Sequence, residues 1–65
     1  MQTRLDDVKK AAHAAVFDAR FTRFCRRGRS IYVEKLNVYH YLGLAEPELI
    51  GYIKNLGYDI TVWKV

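Results

Sequence analysis

Sulfur is nearly missing from this chain. Cys25 is its only cysteine, so no internal disulfide can form. With His13 and His40 as the only histidines, one Cys and two His fall short of four zinc ligands, and their spacing fits no zinc pattern. No uncharged apolar run approaches the roughly 20 residues that span a bilayer. The first ten residues carry Asp6 and Asp7 and no apolar stretch, so no signal peptide is expected. Together with a single free thiol, this predicts a protein of the reducing cytoplasm.

Catalytic equipment is equally sparse. None of the phosphate-loop, dinucleotide, zinc-protease or nucleophile-elbow motifs occurs. The only serine, Ser30, has no histidine nearby in sequence. Acids for general acid–base work would have to come from Asp18, Glu34 and Asp59, which no spacing draws together. Cys25 lies among Phe21 and Phe24 and reads as a packed filler, since free cysteines are among the most buried residues. The expectation is a protein that binds rather than catalyses, without metal or cofactor.

What is present is a folding composition. The sequence is 51% hydrophobic and 28% charged, which suits a globular chain and not a disordered one. Its 65 residues make a single domain, residues 1–65. A chain this short buries only about 60% of its unfolded surface. Without disulfide or metal, it must rely on tight packing or on oligomerisation.

The charge is concentrated. The net charge is +4, and the stretch from Arg20 to Arg29 holds Arg20, Arg23, Arg26, Arg27 and Arg29 with no acid among them. The rest of the chain holds six basic residues against seven acidic ones. The cationic character therefore belongs to one ten-residue stretch.

Periodicity predicts an α+β fold in the order α-β-(turn)-α-β. A long helix is expected over residues 3–27, with Asp6 and Asp7 at its positive end, Arg26 and Arg27 at its negative end and Gly28 as its stop. Leu5, Val8, Ala12, Val16 and Ala19 form one stripe at helical spacing, and His13, Phe17, Phe21 and Phe24 a bulkier second one. One stripe would cover the sheet; the first, rich in small residues, could also serve as a self-dimer face. Alternation predicts a strand over 30–35 and another over 58–64. Between them Pro47 opens a helix that Gly57 closes, with Leu49, Ile50, Ile53 and Leu56 as its apolar face. Gly51 inside that helix points to a close backbone approach. Residues 36–45 read either as a short helical turn or as a continuing strand, and the turn is preferred. Two strands alone are poorly stable, so a third is needed, from residues 36–42 or from a second subunit.

On a helix, Arg20, Arg23 and Arg27 would share one face, with Arg26 slightly round from it and Arg29 in the following turn. Guanidinium groups grip carboxylates and phosphates through a planar fork, and a cluster of them concentrates anionic partners. Tyr32, Tyr39, Tyr41, Tyr52, Tyr58 and Trp63 are many aromatics for so small a core. With Arg, they are the residues enriched at binding hot spots and at single-strand stacking sites.

The C-terminal half, above all the run ELIGYIKNLGYDITVWK, resembles the tail of small orphan accessory proteins of tailed bacteriophages. That resemblance implies a protein that binds and modulates a host protein in the host cytoplasm, and it assigns no functional residue. The sequence thus leads first to a protein-interaction module. Arg20, Arg23, Arg26, Arg27 and Arg29, with Tyr32, would dock on an acidic host surface. The alternative is a nucleic-acid binder that grips phosphates with the same arginines.

Overall fold

A computed structural model describes residues 4–63. The chain runs α1 (Arg4–Val16), β1 (Phe21–Arg27), β2 (Ser30–Lys35), β3 (Val38–Leu44), α2 (Pro47–Asn55) and β4 (Ile60–Val62). The strands form one sheet in the order β3-β2-β1-β4. β1, β2 and β3 are an antiparallel meander, while β4 lies parallel to β1 on its other side. α2 carries the chain from one edge of the sheet to the other.

The α+β class, the strand over 30–35 and the Pro47 helix agree with the sequence reading. The long helix does not. It stops at Val16, where the amides of Phe17 and Asp18 turn back to the carbonyls of Ala14 and Ala15. Asp18 then accepts the backbone N–H of Arg20 at 2.9 Å, a local turn that competes with helix. Beyond it Phe21, Thr22, Phe24 and Cys25 favour a pleated strand. Phe21 and Phe24 imitate helical spacing because a bulge lies between them: the β1–β2 register slips between Phe21 and Arg23. A spacing of three would normally send two strand residues to opposite faces, and the bulge returns both to the core side. Their ring centroids lie 5.0 Å apart, with Tyr58 5.4 Å from Phe21.

Gly28 is likewise not a helix stop. With φ +59° it opens the two-residue Gly28–Arg29 turn between β1 and β2, as a type II′ hairpin requires. The segment read as a helical turn is β3, entered through Leu36 and Asn37, both with positive φ.

The core fills the space between the two helices and one face of the sheet. Ala12 and Ala15 of α1, Leu49 and Ile53 of α2, and Phe24, Ile31 and Val33 of the sheet are all buried there. Leu5, Val8 and Val16 pack against this cluster. The stripe considered as a dimer face is therefore turned to the chain's own sheet, and Ala19 lies outside the helix in the exposed turn. The close approach expected at Gly51 occurs at Gly43 instead. A Cβ there would sit 2.8 Å from a Val8 methyl, whereas one at Gly51 would meet nothing within 4 Å.

Candidate binding face

The helices cover one face of the sheet and leave the other bare of them. Phe24 points into the core, so alternation sends its neighbours Arg23 and Cys25, and Arg27 beyond them, to the opposite side. Cys25 stands opposite Tyr32 in β2 and Thr61 in β4. Tyr32 in turn stands opposite Tyr41, and Glu34 opposite Tyr39. Register alone therefore collects Arg23, Cys25, Tyr32, Glu34, Tyr39 and Tyr41 on the helix-free face.

Trp63 joins them from just beyond β4, where its backbone N–H donates to the Arg26 carbonyl at 2.9 Å. Its ring lies 4.4 Å from that of Tyr39 and stacks on Tyr32 at 6.3 Å. Tyr32 meets Tyr41 edge-on at 5.8 Å. Four aromatic rings are thus joined across a surface that no helix covers. Tyr41 is 55% exposed and Tyr39 36%, so the cluster is open to a ligand. Cys25 is fully buried although it belongs to this side and not to the helix-side core. Burial raises the pKa of its thiol, only partly offset by the Arg23 charge. A thiol held protonated is a poor nucleophile.

The five arginines do not form one ridge. Arg20 is clamped by Asp18, which receives its Nε at 3.2 Å and its Nη2 at 3.1 Å. Asp18 also pairs with Lys35 at 3.1 Å, and these bonds, Arg20 foremost, hold its carboxyl well below the usual range. Arg23 donates Nε to Glu34 Oε1 at 2.6 Å; Glu34, with Tyr39 adding to it, raises the guanidinium pKa further. Arg26 belongs to the helix side of β1 and donates Nε to the Gly28 carbonyl at 2.9 Å. Among the described residues, neither Arg27 nor Arg29 pairs with a carboxylate.

No family model matches this sequence, and no curated protein or solved structure matches it either.

Of the residues singled out from sequence, Arg23, Arg27 and Tyr32 share the helix-free face. Arg29 adjoins it in the turn, while Arg20 and Arg26 are directed elsewhere. Tyr39, Tyr41 and Trp63 are the members that sequence reasoning counted among the aromatics without placing in the site. Their signal was the alternation of Tyr39 and Tyr41 around His40, which is a strand's spacing. Among the described residues no three His, Cys, Asp or Glu side chains gather where a metal could be held, and no helix is long and apolar enough to cross a membrane.

Proposed function

We propose that this chain is a non-enzymatic binding module that takes single-stranded nucleic acid on the helix-free face of its sheet. Tyr41 and Tyr39, backed by Tyr32 and Trp63, offer rings on which unpaired bases stack. Arg27 and Arg29, free of carboxylates, grip the adjoining phosphates. One observation carries the reading: four connected, partly exposed rings share the helix-free face with Arg27 at the end of β1, next to Arg29 in the following turn, and among the described residues neither arginine pairs with a carboxylate. Stacking of this kind contributes about 1–3 kcal/mol per base and tolerates any sequence. A duplex, whose bases are already stacked, cannot use it.

The docking of an acidic host protein rested on a helical ridge of arginines. Those side chains belong to a strand and a turn, and two of them are already paired with the chain's own acids.

Fluorescence anisotropy of labelled oligonucleotides tests the reading. Single strands of about ten nucleotides bind in the micromolar range, duplexes more weakly. With two phosphates neutralised by Arg27 and Arg29, the log–log salt slope is about −1.4 for a single strand. The Arg27→Glu/Arg29→Glu variant abolishes binding. Absence of binding to any nucleic acid at low salt overturns the proposal and returns the arginines to an acidic protein partner.

A further inference from the structure

The two edges of the sheet are unlike. β4 offers three residues, whereas β3 offers seven, Val38–Leu44, and among them no Lys, Arg, Asp or Glu. An edge strand carries a row of backbone donors and acceptors with no partner inside the sheet, and proteins usually guard it with charge, proline or a covering element. β3 has neither charge nor proline, and Val38 and Tyr41 are more than half exposed. In a chain of net charge +4 the strand itself carries no formal charge, and the two cations beside Val38 and His40, Arg20 and Lys35, are both paired with Asp18.

We infer that β3 pairs antiparallel with β3 of a second copy about a two-fold axis at His40. The register follows from the fold. A two-fold axis between antiparallel edge strands stands perpendicular to the sheet, and opposed residues must point to the same side. The axis must therefore pass through a residue and not between two. The β2–β3 register slips between Ile31 and Tyr32, which leaves Leu42 as the extra residue of a bulge. Regular alternation runs only over Val38–Leu42, and His40 is its centre. The pairs are then Val38 with Leu42 of the second copy, Tyr39 with Tyr41, and His40 with His40. Each apolar residue meets an apolar one and each tyrosine a tyrosine, the pairings that stabilise cross-strand contact.

A second copy also suits a chain that has no disulfide and is short enough to leave about 40% of its unfolded surface exposed after folding. The dimer joins two sheets into one of eight strands, with the tyrosines of both copies on a continuous face. It needs no ligand, so its test stands apart from the nucleic-acid reading.

Sedimentation equilibrium of the full chain is the experiment, with His40→Lys and His40→Glu run separately and mixed. The wild type is a dimer at tens of micromolar. Each variant alone opposes like charges at the axis and weakens dimerisation at least about tenfold. An equimolar mixture of the two restores it, because Lys then faces Glu. Val38→Lys, off the axis on the same edge, gives a second test if circular dichroism shows the His40 variants to be misfolded; it too weakens the dimer about tenfold. A wild type that stays monomeric to several hundred micromolar, or a dimer that neither charge substitution touches, overturns the inference.

Discussion

Arg23 and Glu34 stand opposite each other on adjacent strands, and the guanidinium Nε donates to the carboxylate at 2.6 Å. The two ends of this bond differ in burial: the Glu34 side chain is 9% exposed and that of Arg23 47%. Removing the arginine strands a carboxylate away from water, whereas Glu34→Gln leaves an acceptor in place and an arginine that water can solvate. Arg23→Ala therefore lowers the urea midpoint more than Glu34→Gln does. Arg27→Ala, which breaks no ion pair, leaves the midpoint unchanged and serves as the control.

Asp18 ties the turn after α1 to Arg20 and to Lys35 of β2. Its pKa is depressed in the folded chain, so the stabilisation is fully present above the unfolded carboxylate pKa, near 4, and is lost as pH falls below it. Thermal melts across pH 2–6 show this as a fall in Tm on the acid side. Asp18→Asn has a lower Tm than the wild type at pH 6, and the gap narrows towards pH 2.

The same turn explains why the fold was only partly legible in the sequence. Ser30–Lys35 and Pro47–Asn55 carry alternation and capping signals that no neighbour contradicts, and both are where periodicity puts them. From Phe17 to Phe24, local signals conflict. The aromatic spacing of Phe17, Phe21 and Phe24 continues the alanine-rich helix pattern before it, while Asp18 breaks the helix and a bulged strand produces the Phe21–Phe24 spacing by another route. The arginine run is plain in the sequence, but the change of element from helix to strand redistributes its faces, and long-range strand register, which no local pattern reveals, assembles the aromatic site.

Gly43 lets α1 lie close on β3. Gly43→Ala forces its methyl against Val8 and destabilises the fold by about 1–3 kcal/mol. Val8→Ala on top of it recovers part of the loss. Urea denaturation of the two single variants and the double variant reads this as a coupling energy of favourable sign.

The β2–β3 turn places one residue that suits it poorly, Leu36, beside Asn37, which tolerates it. Leu36 has φ 51° and Asn37 φ 65°, and a branched, bulky residue in that region is strained by about 1–3 kcal/mol. Leu36→Asn with Asn37→Gly installs the pair that such turns prefer. Scanning calorimetry shows a Tm higher by several degrees, as a gain of about 1 kcal/mol produces in so small a domain.

Trp63 is the chain's only tryptophan, and its ring touches Tyr39 within the proposed stacking surface. Its fluorescence thus reports on the site without any label. Titration with a short oligothymidylate at low salt is predicted to quench that emission saturably. Tyr41→Ala should weaken the response about tenfold, the loss of one stacked base, and Arg27→Glu/Arg29→Glu should abolish it. Emission that stays constant through a large excess of single strand would contradict the account.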